Sequence, residues 1–258
     1  MGNKGAVAAS MQVRATSLCF VGSHLAARPE RIHERNTNYT DILECLRLGR
    51  KEFEMTHQFH HVFWAGDLNY RVELPFEAAV TASEVVPLKS GGFKVAGLAD
   101  LLAADQLAQQ QSQGQCFQAF MEAPITFAPT YKCKVGLSPR VYANKRDQAP
   151  SYTDRVLYHS MPRCEGELKL RAYESADTIT FSDHTPVSAT FELKLRSHLR
   201  AEMKQAHAGQ VGCHLRLTNL SVELLRSKED ELSTRYGGKS VGQQGSESAS
   251  RAAARQGG

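Results

Sequence analysis

Three short segments hold the residues of this chain that could do chemistry. They are residues 63–71 (FWAGDLNYR), 150–157 (PSYTDRVL) and 182–187 (SDHTPV). Each joins an apolar, strand-like run to a polar end that contains Asp, Asn, His or Arg, which is how a rigid sheet holds catalytic groups at its edge. The sequence therefore predicts an enzyme, and hydrolysis of a phosphate ester is the reaction that these residue types favour.

The first segment places a carboxylate and an amide two residues apart, at Asp67 and Asn69. Both could face one water molecule, with Asp67 as general base and Asn69 as the group that orients the nucleophile. Gly66 gives the backbone room to turn. An Asx turn that caps a loop is the commoner role of a Gly-Asp-x-Asn sequence, so this segment alone leaves both interpretations open.

Two histidines, His24 and His184, stand at the end of a predicted strand. Asp183 could orient His184 or fix its tautomer, so that the imidazole meets a phosphoryl oxygen. An exposed histidine in a surface turn is the alternative for both. In the second segment, Asp154 and Arg155 are predicted to form a structural ion pair, although Arg155 could also reach a substrate.

The elements that position these residues are mostly strands. Alternation over residues 7–13 and an apolar run over residues 17–21 predict a β-hairpin that leads to His24. Helical spacing of apolar residues predicts an amphipathic helix that ends near Gly49; these residues are Tyr39, Ile42, Leu43 and Leu46. Further strands are predicted at residues 61–64, 154–159 and 187–195, and a second helix at residues 97–110.

Composition bounds the number of domains. The chain has 258 residues, 41% hydrophobic and 22% charged, which predicts one main domain. We place that domain at residues 1–195, a linker at 196–210, the possible start of a second β domain at 211–235 and a disordered tail at 236–258. The six cysteines show no metal-binding spacing, so we expect free thiols in a reducing compartment. No signal-peptide pattern and no run of 18 apolar residues is seen, so no membrane span is predicted.

Positive charge is concentrated in one stretch. The net charge is only +4, yet between Tyr131 and Arg155 the cations are accompanied by only Asp147 and Asp154. These cations are Lys132, Lys134, Arg140, Lys145, Arg146 and Arg155. The stretch could face an anionic substrate or a membrane surface, and a solvated loop explains the charge equally well.

Taken together, the segments resemble the inositol polyphosphate 5-phosphatase family, in particular its phosphoinositide-acting branch. The family signatures W-x-G-D-x-N-[FY]-R and P-[SA]-[WY]-[CT]-D-R-[IV]-L match residues 64–71 and 150–157. Shorter family motifs match in the same order at residues 3–5, 23–25, 35–39, 129–132 and 182–187. Gln148 departs from the family, which has Arg or Asn there.

The resemblance implies a fold and a mechanism. The fold is α/β, a two-sheet β-sandwich flanked by helices, known as the endonuclease/exonuclease/phosphatase fold. The implied reaction is in-line hydrolysis of an inositol 5-phosphate, assisted by Mg²⁺. The implied catalytic roles are water activation by Asp67, positioning by Asn69, charge stabilisation by His24 and His184, and support of His184 by Asp183.

The resemblance also implies a substrate class. Tyr131, Lys132 and Arg146 match positions that hold the neighbouring 4-phosphate, while Arg35 and Asn36 match positions that contact substrate or brace the site. The implied partners are phosphoinositide headgroups or soluble inositol polyphosphates, reached by peripheral recruitment to a membrane, and no nucleic acid.

The resemblance assigns no metal ligand to a residue of this chain. In the family, the Asn-Lys-Gly turn follows strands that supply the Glu ligand of Mg²⁺, so the resemblance places that ligand upstream of Met1 and predicts an N-terminally incomplete fold. We therefore expect the 258-residue chain alone to be weakly active or inactive. Two alternatives stay open, namely a Mg²⁺-dependent nuclease of the same fold and a non-catalytic phosphoinositide-binding scaffold.

Overall fold

The computed structural model describes residues 4–197 and 223–224. Its strands, in chain order, are β1 (Gly5–Val13), β2 (Thr16–His24), β3 (His61–Asp67), β4 (Val85–Pro87), β5 (Phe93–Val95), β6 (Met121–Glu122), β7 (Asp154–Ser160), β8 (Leu168–Ser175), β9 (Val187–Leu193) and β10 (Glu223–Leu224). Its α-helices are α1 (Ile32–Cys45), α2 (Phe76–Ala82), α3 (Leu98–Ala103) and α4 (Gln106–Ser112). Short 3₁₀ helices cover Met55–His57 and Glu165–Glu167.

The main sheet has six strands in the order β10-β1-β2-β3-β7-β6. The predicted hairpin is confirmed, since β1 and β2 pair in antiparallel register. Strands β2 and β3 run parallel, and the crossover that parallel strands require contains helix α1. Strand β7 runs antiparallel to β3. The last residues of β2 and β3 and the first residue of β7 therefore meet at one edge of the sheet.

Trp64 is the centre of the core between α1 and the main sheet. It is fully buried, and its ring centroid lies 5.4 Å from that of Tyr39 on α1 and 5.1 Å from that of Phe117. The indole Nε1 donates a hydrogen bond of 2.8 Å to Ser23 Oγ on β2. A buried indole whose N–H is satisfied holds its neighbours in one arrangement, so Trp64 fixes β3 against β2 just below their ends.

A buried ion cluster connects β7 to β6 and to the start of α4. Arg155 is 3% exposed and donates from Nη1 to both carboxylate oxygens of Asp105, at 3.0 and 2.9 Å. Its Nη2 lies 2.5 Å from Glu122 Oε2 on β6. The predicted pair between Asp154 and Arg155 is wrong, because successive residues of a strand point to opposite faces of the sheet. Tyr152 is fully buried beside the start of β7.

Two predicted elements differ from the structure. Helix α1 ends at Cys45, ahead of Gly49. The single helix predicted over residues 97–110 is two helices, because Asp105 has extended backbone angles between them and its side chain accepts a hydrogen bond from Ala108 N at the start of α4. An N-cap of this kind begins a new helix and ends the previous one.

The mixed α/β architecture is confirmed, whereas a clear two-sheet sandwich is not seen. Apart from the main sheet, the described residues form two-stranded sheets only, β4–β5 and β8–β9. The β8–β9 pair covers one face of the main sheet, where the ring of Phe191 lies 5.0 Å from Phe63 and 5.1 Å from Tyr158. A face covered by two strands is a smaller second layer than the sandwich expectation requires.

The C-terminal predictions fall mostly outside the described residues. This holds for the linker beyond residue 197, for the second β domain except β10, and for the tail. Strand β10 pairs with β1 of the main sheet. None of the helices in the described ranges is long and apolar enough to cross a membrane.

The buried cluster gives a stability prediction. Replacing Arg155 with Leu leaves Asp105 and Glu122 without their cation, so we expect the free energy of unfolding to fall by about 3–5 kcal/mol. Arg171→Leu is the matched control, because its partner Glu192 and Arg171 itself are both about half exposed, and we expect a loss of at most about 1 kcal/mol. Urea denaturation followed by circular dichroism measures both, and equal losses would contradict the assignment.

Candidate active site

Strand register brings two predicted catalytic residues, His24 and Asp67, to the same edge as Asp154, which was predicted to be structural. His24, the last residue of β2, is paired with Asp67, the last residue of β3. Asp67 is paired in turn with Asp154, the first residue of β7. Two carboxylates and an imidazole therefore meet across neighbouring strands, about 5 Å apart from strand to strand.

The backbone at Gly66 permits this close approach. Its φ is +138°, and a Cβ added there would lie 2.0 Å from the carbonyl oxygen of Ser23 on the neighbouring strand. Only glycine fits that position. The chain then turns, and Leu68 N donates a hydrogen bond of 2.8 Å to Thr153 O. The Asp67 carboxylate is thus carried on backbone that is held from both sides.

Asn69 holds the Asp67 carboxylate. Its backbone N–H donates to Asp67 Oδ1 at 3.0 Å, and its Nδ2 donates to Asp67 Oδ2 at 3.1 Å and to Leu25 O at 3.1 Å. Its Oδ1 accepts from Arg71 Nη2 at 2.7 Å, and the residue is 3% exposed. The Asx turn is therefore present, and the same hydrogen bonds orient the Asp67 carboxylate in the site. Asn69 thus acts through Asp67.

His24 flanks Asp67 on the β2 side. Its Nε2 lies 3.1 Å from Asp67 Oδ2, and the ammonium of Lys4 also contacts Nε2. Burial, together with the charge of Lys4 and the neighbouring His184, lowers the pKa of His24 below its ordinary value despite the opposing effect of Asp67. His24 is therefore the neutral imidazole of the site near pH 7.

His184 flanks the site on the β7 side. Its Nδ1 donates to Asp154 Oδ2 at 2.9 Å, and that oxygen also accepts from the hydroxyls of Thr130 and Thr153, each at 2.9 Å. Burial alone would lower the pKa of His184, but the hydrogen bond to Asp154 and the nearby carboxylates raise it above its ordinary value. His184 is thus the imidazole that retains its proton more readily.

The prediction that Asp183 holds His184 is wrong, since Asp154 has that position. The Asp183 carboxylate pairs with the ammonium of Lys132 instead. Burial opposes ionisation of Asp183, but Lys132 lowers the pKa of Asp183 below its ordinary value. Neighbouring residues in extended backbone point in opposite directions, which is why Asp183 and His184 have different partners.

The pairing of Asp67 with Asp154 affects the ionisation of Asp67. Burial and the charge of Asp154 raise the pKa of Asp67 above its ordinary value, and the two histidines and Arg71 oppose the rise. A carboxylate whose pKa is moved toward the working pH accepts a proton more effectively, which suits a general base.

An aromatic side chain and cations line one side of the site. The ring centroid of Tyr131 lies 4.4 Å from that of His184, and the guanidinium carbon of Arg71 lies 4.7 Å from the centre of the Tyr131 ring. Lys132 Nζ lies 5.3 Å from the same ring. Arg146 is exposed on the loop that follows and ion-pairs with no described residue.

Arg35 and Asn36 do not lie at the surface of the site. Arg35 is fully buried and donates to the carbonyl of Arg28 at 2.6 Å and to Gln106 Oε1 at 2.6 Å. Asn36 Oδ1 accepts a hydrogen bond of 2.7 Å from Tyr70 OH. A prediction of direct substrate contact is wrong for this conformation, and the bracing alternative fits because both side chains are used internally.

A metal ion has no complete set of protein ligands here. The described residues contain no group of three or more His, Cys, Asp and Glu side chains placed to hold one. Asp67 and Asp154 each already accept bonds from neighbouring side chains. The described residues therefore do not fit a closed metal site.

Sequence reasoning missed four contributors to the site. Lys4, Arg71, Thr130 and the pairing of Asp154 with His184 were not assigned there, although each residue lies within a matched motif. The sequence signal that could have found these residues was their position inside the matched motifs. Which face of a strand or loop each side chain occupies was not readable from it.

Comparison with known proteins assigns the family. A sequence model of the Endonuclease/Exonuclease/phosphatase family 2 matches residues 1–190. Phosphatidylinositol 3,4,5-trisphosphate 5-phosphatase 1 of Rattus norvegicus is 42% identical over 208 residues, which cover 76% of this chain and 17% of that protein. Inositol-1,4,5-trisphosphate 5-phosphatase 1 of Schizosaccharomyces pombe is 39% identical over 195 residues, covering 75% and 16%. The chain belongs to the inositol polyphosphate 5-phosphatase family.

Solved structures agree with this family and with its fold. The inositol polyphosphate 5-phosphatase domain of SPsynaptojanin, solved with inositol (1,4)-bisphosphate and a calcium ion, matches with a TM-score of 0.60 at 35% identity and covers 75% of this chain and 53% of that one. A Cimex nitrophorin, solved as a ferrous NO complex, matches with a TM-score of 0.56 at 26% identity over 74% and 60%. Because one fold hosts such different ligands, activity must be argued from the site.

The chain spans less than a fifth of the length of the two curated 5-phosphatases named above.

The arrangement around His184 gives a titration prediction. Asp154→Asn removes the carboxylate that raises the pKa of His184 and leaves the burial that lowers it. We therefore expect the pKa of His184 to fall below about 6.5 in this variant. Asp183→Asn is the matched control and should leave the pKa of His184 raised. Titration of the histidine resonances by NMR measures both, and a larger fall in the control would contradict the assignment.

The same pair has a consequence for stability. A histidine whose pKa is raised by folding stabilises the native state fully below its unfolded pKa of about 6.5. That contribution is lost as the pH rises through the higher pKa of the folded state.

Proposed function

We propose that the chain hydrolyses the 5-phosphate of phosphoinositides or inositol polyphosphates by direct attack of water. The observation that carries this proposal is the convergence of Asp67, His24 and the Asp154–His184 pair at one sheet edge. Relatives at about 40% identity are named as 5-phosphatases of such compounds, which supports the choice of substrate.

Asp67 is the general base in this proposal. A water molecule at the sheet edge transfers a proton to the Asp67 carboxylate as its oxygen attacks phosphorus in line with the inositol oxygen. The bond from phosphorus to that inositol oxygen breaks, and the departing oxygen takes a proton from solvent to become a hydroxyl. Asn69 keeps the carboxylate in one orientation through two hydrogen bonds, at 3.0 and 3.1 Å. The raised pKa of Asp67 favours this transfer.

His184 and His24 stabilise charge on the phosphoryl oxygens. With its Nδ1–H donated to Asp154, the protonated form of His184, which its raised pKa favours, has a second N–H at Nε2 that can donate to an oxygen that gains negative charge. His24, with Lys4 at its Nε2, presents a second polar group on the opposite side of Asp67. Three positively charged or donating groups around one phosphate suit an anion that carries more than one charge.

The neighbouring 4-phosphate lies against Tyr131, Lys132 and Arg146 in the same proposal. Lys132 pairs with Asp183 in the structure, so a phosphate that reaches it replaces or shares that partner. Arg146 is exposed and can turn toward a bound headgroup. Substrates without a 4-phosphate should therefore bind less tightly.

Mg²⁺ is the proposed cofactor. The support is the calcium ion in the solved 5-phosphatase domain of SPsynaptojanin, together with the motif resemblance. When bound, a divalent cation neutralises charge on the transferring phosphoryl group. We place the reaction in the cytoplasm, at membranes to which the protein is recruited peripherally.

A phosphoinositide-binding scaffold is the second candidate. It is favoured by the lack of a three-ligand metal group among the described residues. It predicts binding of inositol phosphates without turnover.

The test is release of inorganic phosphate from short-chain phosphatidylinositol 4,5-bisphosphate and 3,4,5-trisphosphate, with Mg²⁺ or with EDTA. Because the chain alone is expected to be weakly active at most, we expect slow release that requires Mg²⁺ and falls by roughly 10²–10⁴-fold in Asp67→Asn, where the general base is lost. Asp100→Asn is the matched control, since Asp100 is exposed on α3, away from the sheet edge.

Equal rates in the two variants would contradict the role of Asp67. Tight binding of inositol phosphates by a folded chain, without any release of phosphate, would favour the scaffold.

A further inference from the structure

Three exposed apolar side chains lie on two adjacent segments beside the candidate active site. Val135, Leu137 and Phe181 are 58%, 44% and 82% exposed. They come from two segments that are joined by a hydrogen bond of 2.7 Å from Gly136 N to Thr180 O. Single exposed apolar residues are common on protein surfaces, whereas a group that includes a Phe side chain exposed over most of its surface indicates a binding surface. We call this group the apolar tip.

The apolar tip is carried by a short hairpin that starts at the site. Lys134 N donates to Val141 O at 2.8 Å, and Ala143 N donates to Lys132 O at 2.8 Å. Between these bonds, the chain turns at residues 135–140. The hairpin leaves the catalytic edge directly after Lys132, so Val135 is at most about 11 Å of extended chain from it.

The second segment leads into the site from the other direction. Phe181 is followed by Asp183, which pairs with Lys132, and by His184, whose ring packs on Tyr131. Cys133 N donates to Asp183 O at 2.9 Å, so the two segments run side by side. Any surface that receives the apolar tip therefore lies next to the entrance of the site.

The surroundings of the tip are positively charged. Lys134, Lys145 and Arg146 are exposed on the hairpin and on the loop that follows it. The acids of this region are largely neutralised, since Asp177 pairs with Arg140 and Asp183 with Lys132. An apolar group within a cationic rim is complementary to an anionic bilayer, whose headgroups attract Lys and Arg while its acyl layer accepts Phe and Leu.

Size favours a bilayer over a protein partner. A stable protein interface buries about 1,200–2,000 Å² and some 20–30 residues on each side. Three side chains at the end of a hairpin are too few for that, but they are enough for shallow insertion below lipid headgroups when basic residues add attraction.

We propose that Val135, Leu137 and Phe181 insert into anionic membranes and hold the catalytic edge against the lipid headgroups. This inference rests on the proposed function for its purpose, because docking at this place presents a headgroup to Asp67 and His184. Membrane binding itself does not require catalysis and can be tested separately.

The first test measures binding of the 258-residue chain to vesicles of phosphatidylcholine with 20% phosphatidylserine, which contain no phosphoinositide. We expect Phe181→Ser and Leu137→Ser each to weaken binding, Phe181→Ser by about tenfold or more, the factor expected for burial of one Phe side chain. The matched control is Phe53→Ser. Phe53 is 50% exposed in the segment before β3, whose first residue lies roughly 20 Å along the strand from Asp67.

The second test compares two substrates. Phe181→Ser should lower turnover of phosphatidylinositol 4,5-bisphosphate that has been added to vesicles of the same two lipids, and leave turnover of a soluble, short-chain form unchanged. If the unaltered chain turns over neither substrate, the proposed function is refuted. The vesicle-binding measurement would still test the apolar tip in that case.

Three results would overturn the inference. They are no vesicle binding by the unaltered chain, equal binding by Phe181→Ser and the unaltered chain, and an equal loss in Phe53→Ser. Loss of self-association in Phe181→Ser, seen by sedimentation with vesicle binding unchanged, would instead assign the apolar tip to a second copy of the chain.

Discussion

The pairing of Asp67 with Asp154 across β3 and β7 is the constraint on which the site depends. Two carboxylates on neighbouring strands repel each other, and burial adds to the cost of their charge, as the raised pKa of Asp67 reflects. The surrounding residues supply what makes this pairing tolerable. Asn69 donates to Asp67, His184 and the two threonine hydroxyls donate to Asp154, and His24 and Lys4 lie alongside. The same donors that stabilise the carboxylates are the groups that would meet a phosphate.

Adjacent residues of β7 separate chemistry from stability. Asp154 points to the site, whereas Arg155 points to the opposite face and closes the buried cluster with Asp105 and Glu122. On β3, Trp64 anchors the strand to β2 through Ser23, and Gly66 then lets the two strands approach at their ends. The position of Asp67 is thus set by packing below the edge rather than by the loops above it, which is the usual way that a precise site is held.

The sequence was sufficient for the elements with clear periodicity and for the residues inside matched motifs. The β1–β2 hairpin, helix α1 and the gathering of His24, Asp67 and His184 follow from alternation, spacing and motif order. The partner of His184 did not follow, because adjacency of Asp183 in sequence says nothing about which way its side chain points. The burial of Arg35 and Asn36 and the break at Asp105 depend on residues far away in sequence, such as Gln106, Tyr70 and Arg155. Contacts of that kind become visible only when the chain is folded.

In the proposed function, this sheet edge removes one particular phosphate. Phosphorus NMR of inositol 1,4,5-trisphosphate incubated with the chain and Mg²⁺ tests it most directly, because each phosphate has its own resonance. We expect the 5-phosphate resonance alone to decrease, slowly for this chain, while the resonance of inorganic phosphate grows. Loss of the 1- or 4-phosphate first would rule out this specificity, and an unchanged spectrum from a chain shown to be folded would assign the sheet edge to binding alone.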